Sequence, residues 1–273
     1  MASSSILSKK KQWQQILKQV RVIFPVYKEK GVVAKELLQD IELKLNHEFD
    51  ANLAAKGITS SFGCPLDQFG SGVLAIKVGS IDTKFSWLVM SKRCYDLTLK
   101  LGERRTFSNS DGELIDTKPF AHITEDAVRR FLATQTGLIE QGKPPKPATP
   151  DGLPHPDEVV SRSNFVMCYQ INLKKMELPF VELDVQCGSR FHVSTFAEDF
   201  GVALGTFSHM TNLHRRSLGP FTCDDVIQSY AVSWKRISEC DALHKQKVLS
   251  CVREIRSELY PLLSKLAPKA YYR

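Results

Sequence analysis

No stretch of this sequence approaches the roughly 18 uninterrupted apolar residues that a membrane span needs. Nor is there an N-terminal apolar run of the kind that directs secretion, or any N-x-S/T acceptor for glycosylation. The seven cysteines, Cys64, Cys94, Cys168, Cys187, Cys223, Cys240 and Cys251, are odd in number, widely spaced and without a CxxC pair. That excludes a disulfide framework as a reading and predicts reduced thiols in an intracellular, cytoplasmic or nuclear protein. The motifs GxSxG and HExxH are also missing. With them go the catalytic signatures legible from local spacing.

Two apparent nucleotide motifs fail on inspection. Gly137-Leu-Ile-Glu-Gln-Gly142-Lys143-Pro144 matches GxxxxGK. It has proline where a phosphate loop needs Ser or Thr for magnesium, and it follows a predicted helix, not a strand. Gly70-Ser-Gly72 lacks the third glycine of a dinucleotide fingerprint. No cofactor is therefore expected.

What the chain does have is length and asymmetric charge. At 273 residues it can hide a sizeable core without metal or disulfide staples. Residues 1–35 carry eight basic side chains and one acidic, and the net charge of the whole protein is also +7. Residues 235–273 add nine basic and four acidic groups, so the middle of the chain is mildly acidic. Positive ends call for an anionic partner, with solubility charge as the plain alternative.

Periodicity predicts α+β architecture: an N-terminal basic helical arm, antiparallel strand clusters and C-terminal helices. Over residues 6–24, Trp13, Ile16, Leu17, Val20 and Phe24 form one helical stripe that Pro25 ends. Val33, Leu37, Leu38, Ile41 and Leu45 give a second helix through His47. Val73–Val78, Lys84–Met90 and Tyr95–Leu101 read as strands, the last alternating strictly between apolar and polar residues. Thr124 is placed to cap a helix through Val128, Phe131 and Leu132. Six of the thirteen prolines fall within residues 141–157, an extended linker. Beyond it, Phe165–Leu173, Phe180–Val185 and Arg190–Ser194 read as strands. Helices are then expected at two capping boxes, Thr195 with Glu198 and Thr222 with Asp225, and along Val248–Leu259. The expected divisions are a basic arm (1–48), a first α+β part (49–140), the linker (141–157), and strands followed by helices (158–273), the last sharing one core with 49–140 or forming its own.

These observations lead to three functional expectations. The first is a non-enzymatic basic protein that binds nucleic acid, a ribonucleoprotein or an anionic membrane, with the profile of a viral-type matrix, movement or nucleoprotein. Its anion-binding residues would be Lys9, Lys10, Lys11, Lys18, Arg21, Lys28 and Lys30, extended by Arg104, Arg105, Arg129, Arg130, Arg215 and Arg216. Each lysine that meets a phosphate releases a counterion, so such a track gives salt-sensitive affinity. The second is an enzyme whose site gathers Cys187, His192, His209 and His214, with or without zinc. Their spacing is looser than that of structural zinc sites, and scattered half-buried histidines are the default. The third is a protein-interaction adaptor that uses residues 141–157. Glu182 and Asp184 share one face of a strand, an arrangement that reads more readily as solvent side than as an acid/base pair.

Overall fold

The computed structural model describes residues 21–49, 52, 59–62, 64–79, 88, 90–142, 164–255 and 257. In chain order the elements are β1 (Arg21–Lys28), α1 (Ala34–Glu48), β2 (Thr59–Phe62), β3 (Ser71–Gly79), β4 (Arg93–Leu101), β5 (Glu103–Arg105), β6 (Leu114–Thr117), α2 (Glu125–Thr134), β7 (Gly137–Gln141), β8 (Asn164–Glu177), β9 (Phe180–Cys187), α3 (Val193–Ala203), β10 (Ser208–Leu218), β11 (Phe221–Thr222) and α4 (Trp234–Glu254). The mixed α/β class expected from the sequence is what is observed. The chain divides into two compact units, Met1–Ser91 with Arg216–Arg273, and Lys92–Arg215.

In the first unit β1 runs antiparallel to β3, with Phe24 opposite Ile76 and Val26 opposite Leu74. β2 pairs with the C-terminal half of β3. Phe24, Val26, Leu74 and Ile76 face Leu37, Ile41 and Leu45 of α1 and Ile237 of α4. Ile23, Val73 and Ala75 belong to a separate cluster with Leu88 and Phe221. Burial on both faces accounts for the unbroken apolar run of β3, since such a strand has no wet side to alternate with.

The same two-sided burial corrects the helical stripe. Residues 21–24 are strand, and Pro25 sits inside β1 without ending it. It lies toward an edge that a single parallel bridge covers: the Ile227 N–H donates to the Pro25 carbonyl (2.9 Å) and Tyr27 N–H to the Ile227 carbonyl (3.3 Å). A proline tolerates such an edge because no neighbour asks for its missing N–H. The rest of the stripe, with Trp13, lies outside the described residues, as do residues 84–87 and the prolines of the linker; of the expected strand Lys84–Met90, Leu88 and Met90 are described and are helical, not strand.

In the second unit β4, β9, β8 and β7 form an antiparallel series. Tyr95, Leu97, Leu99 and Leu101 are buried as their alternation predicts, and Leu97 and Leu99 stand opposite Leu183 and Val181. Glu182 lies on the outward face. The helix N-cap at Thr124 is present, accepting from the Ala127 N–H at 3.3 Å. Gly137–Gln141 is strand β7, so the GxxxxGK run makes no phosphate loop.

Arg190–Ser194 is not a strand; His192 precedes α3, and Thr195 is buried inside that helix, not capping it. Phe196 and Phe200 of α3 pack with Phe131 of α2 and with Phe191, and this aromatic cluster overrides the β-branched Val193 and Thr195. The Thr222–Asp225 capping box exists, but on a single 3-10 turn, Cys223–Asp225. The long helix begins later, at Ser233, whose side chain accepts from the Arg236 N–H.

Gly201 marks where α3 meets the chain most closely: a Cβ there would fall 2.6 Å from the Phe207 carbonyl carbon. Backbone cannot retreat as a side chain can. Gly201→Ala is expected to destabilise the second unit by about 1–3 kcal/mol, visible as a lower urea midpoint with unchanged slope.

Candidate active-site loop

A loop of the first unit combines an exposed acid with a heavily constrained backbone. Between β2 and β3, Cys64, Leu66 and Phe69 turn inward and are buried, whereas Asp67 and Gln68 face water. The apolar side chains anchor the loop at three points.

Lys28, the last residue of β1, adds a polar anchor. It is fully buried, and its ammonium donates to the carbonyls of Gly70 (2.7 Å), Glu29 (3.2 Å) and Gln68 (3.4 Å). A buried charge is tolerable only where polar groups replace its hydration, and these carbonyls do so. Gln68 and Gly31 complete the clasp: Gly31 N–H donates to the Gln68 carbonyl (2.8 Å), and Gln68 Nε2 donates to the Gly31 carbonyl (3.0 Å). Gly31 has φ +85°, a conformation that suits glycine.

Asp67 Oδ1 accepts from the Gly70 N–H at 2.8 Å, which orients the carboxylate. Its other oxygen has no hydrogen-bond partner among the described residues. Gly70 leaves the necessary room, since a Cβ there would lie 2.8 Å from Leu66 Cδ1 and 3.1 Å from that same Oδ1. Lys30 stands 4.3 Å from the centre of the Phe69 ring, two residues from Asp67. The arrangement is an oriented, solvent-facing acceptor on a loop that the scaffold anchors.

The residues singled out from sequence are distributed differently. Lys9, Lys10, Lys11 and Lys18 lie outside the described residues, and Arg21 opens β1. Of the remaining candidates, Lys28 and Arg215 are buried, which overturns their assignment to a surface track. Arg215 lies beside Tyr95, whose hydroxyl pKa burial raises while Arg215 acts against that rise through charge and a hydrogen bond. Arg105 is paired with Glu103 at 3.0 Å, and Arg129 with Glu125 at 2.6 Å. Arg104 and Arg130 are exposed, and Arg216 is half-buried.

The Cys/His set forms no metal centre. Cys187 is fully buried in β9, and burial pushes its thiol far up. His192 is held at its backbone by Gln141, and burial pulls its imidazole pKa down. His209 Nδ1 donates to the Glu103 carbonyl at 3.2 Å, and burial likewise lowers its pKa. His214 lies half-buried on β10. Among the described residues no three His, Cys, Asp or Glu side chains gather as metal ligands. Of the basic set, Lys28 and Lys30 contact the Asp67 loop.

Residues 60–193 match the TruB family pseudouridylate synthase model, N-terminal domain. The stretch begins in β2 and carries the whole Asp67 loop. The chain is 30% identical over 224 residues to human (Homo sapiens) pseudouridylate synthase TRUB1, covering 74% of this chain and 62% of that protein. It is 31% identical over 208 residues to tRNA pseudouridine synthase B of Aromatoleum aromaticum, covering 73% and 64%. The chain thus spans rather less than two thirds of the length of these relatives. Its fold resembles that in the crystal structure of a Cbf5-Nop10-Gar1 complex, with TM-score 0.58 at 20% identity over 79% of this chain and 54% of that one.

These findings correct the first functional expectation. The sequence relatives are RNA-modifying enzymes, so a non-enzymatic matrix, movement or nucleoprotein is no longer the reading; the third expectation, a protein-interaction adaptor, falls with it, and nothing supports a membrane surface as partner. Among the described residues no helix is long and apolar enough to cross a membrane. Sequence reasoning passed over Asp67 because a lone acid in a glycine-flanked loop has no motif of its own. The available signal was its setting, an acid among Cys64, Leu66 and Phe69 just before the apolar run Val73-Leu74-Ala75-Ile76.

Proposed function

We propose that this chain converts uridine to pseudouridine within an RNA, with Asp67 as the group that acts on the ribose. The observation that carries the reading is the Asp67 loop itself, an exposed carboxylate on a pinned backbone inside the segment that matches the synthase family. The reaction is an isomerisation. The C1′–N1 bond breaks, the detached base turns, C1′–C5 forms, and the hydrogen of C5 is replaced while N1 gains one. No electrons are lost or gained, so side chains alone can suffice.

What the reaction requires is a group that manages the sugar while the base is detached. A carboxylate does this as a nucleophile at C1′ or as a base toward the 2′ hydrogen. Either role needs an oxygen that faces outward, is not already satisfied by the protein, and is fixed in position. Asp67 is exposed, its second oxygen has no hydrogen-bond partner among the described residues, and its Oδ1 is held by the Gly70 N–H. A base inside a stacked helix is out of reach, so the target nucleotide must be turned out of its stack toward this loop.

The test is tritium release from RNA transcribed with uridine labelled at C5. Release in proportion to enzyme turnover is expected, and a chain that binds RNA yet liberates no tritium would refute the assignment.

Lys30 fits a phosphate contact beside the reacting nucleotide, in keeping with its place among the basic residues. Lys30→Ala should weaken RNA binding several-fold at low salt and reduce the slope of log affinity against log salt by about one, with kcat unchanged. An unaltered salt slope would remove Lys30 from the interface.

A further inference from the structure

The first unit holds a second chemical constellation, which the proposed RNA chemistry does not use. Cys240 and His244 lie one turn apart on α4, with Sγ 3.1 Å from Nδ1. On the opposite side of the ring, His244 Nε2 lies 2.8 Å from Asp225 Oδ1. Asp225 is firmly placed: Lys247 Nζ donates to Oδ1 at 2.7 Å, and the Thr222 N–H and hydroxyl donate to Oδ2 at 2.9 and 3.0 Å. Burial works against its ionisation, but the hydrogen bonds from Lys247, His244 and Thr222 prevail and hold its pKa well below the usual carboxylate range. Phe221 packs edge-on against the imidazole, with centroids 5.6 Å apart.

An ionised carboxylate can only accept, so Nε2 carries the proton of the neutral ring. The lone pair of Nδ1 therefore faces the thiol. Nucleophile, base and orienting acid thus stand in the order that activates a cysteine. The three also line a cleft of about 470 Å³, within the range of small-molecule sites. Its other charged walls are Asp224 and Glu239 against Lys235 and Arg236. That mixture suits a ligand that carries both carboxylate and ammonium groups.

We propose that Cys240 is an activated thiol that undergoes exchange with a small zwitterionic disulfide entering this cleft. The thiol proton passes to His244 Nδ1 as sulfur attacks. One S–S bond of the disulfide breaks and the Cys240 mixed disulfide forms. The departing thiolate takes the proton back from His244 and leaves as a thiol, so the incoming disulfide is the oxidant and both partner side chains end as they began. The other buried thiols offer a contrast: burial pushes Cys168 up to about 11 and Cys187 further still, leaving them inert at neutral pH.

The test is limited alkylation of the full chain with iodoacetamide, mapped by peptide mass across pH 5.5–9.5, followed by exposure to glutathione disulfide. Cys240 should react first. Its rate should stay nearly level between about pH 6 and 8, where an ordinary thiol loses about tenfold per unit below its pKa near 8.5. Asp225→Asn or His244→Gln should slow Cys240 about tenfold at pH 7 and converge with the parent near pH 9.5. Glutathione disulfide should add one glutathionyl group, at Cys240. The wild-type profile decides the matter even where a variant does not fold. A Cys240 no faster than half-exposed Cys94 or Cys223, or one whose rate follows ordinary thiol titration, would overturn the activation. Rapid alkylation without glutathionylation would overturn the disulfide assignment.

Discussion

Asp67→Asn is expected to abolish pseudouridine formation while the fold and RNA affinity persist. Asparagine keeps the Oδ1 acceptor for the Gly70 N–H, the 2.8 Å bond that orients the side chain. It has nearly the same volume and leaves Leu66 where it packs over Gly70. What it removes is the charge, and with it the capacity to bond to C1′ or accept a proton. Tritium release should fall at least about 1000-fold, equivalent to roughly 4 kcal/mol of lost transition-state stabilisation. The urea midpoint should move by no more than about 0.5 kcal/mol, as for an exposed site away from the core. A variant that retains a tenth of the parent rate would exclude Asp67 as the acting group. One that loses its rate together with its stability would point to a structural role.

How far the sequence alone reaches depends on whether local pattern and tertiary setting agree. β4 was legible because one face is buried and the other wet, so Tyr95, Leu97, Leu99 and Leu101 alternate with polar residues. α1 was legible for the same reason at helical period, with Leu37, Ile41 and Leu45 inside. β1 was not, because Ile23 and Phe24 are both buried, on opposite faces, and the resulting run reads equally well as helix. β10 was missed because an inward position carries Arg215, a residue that pattern reading assigns to water.

The chemistry was less legible than the fold. Net charge indicates an anionic partner, and RNA is one, but charge says nothing of whether the partner is merely held or also altered. The set Cys187, His192, His209 and His214 was chosen by residue type, and the fold commits those side chains to separate strands and a helix start. Cys240 and His244 were four apart in plain view, yet their relation to Asp225 depends on how α4 packs against the turn before it. Asp67 likewise depends on Lys28, which precedes it by 39 positions and which sequence reading placed in solvent.

That dependence yields the second large effect: Lys28→Met should destabilise the protein and disable the loop together. Replacing a buried ion pair by apolar residues can be neutral when both partners are removed. Here the partners are the main-chain carbonyls of Gly70, Glu29 and Gln68, which no substitution removes. Methionine matches the lysine stem in length but donates nothing, so at least one carbonyl is left buried and unsatisfied. The expected cost is about 3 kcal/mol, a drop in Tm of about 6–12 °C. Because Gly70 also supplies the N–H that orients Asp67, the surviving folded molecules should show a reduced kcat with RNA affinity nearly intact. Measuring tritium release well below the lowered Tm separates the two consequences. A Lys28→Met protein with the parent's Tm and kcat would show that the buried ammonium does not hold the loop, and the positioning argument for Asp67 would fall with it.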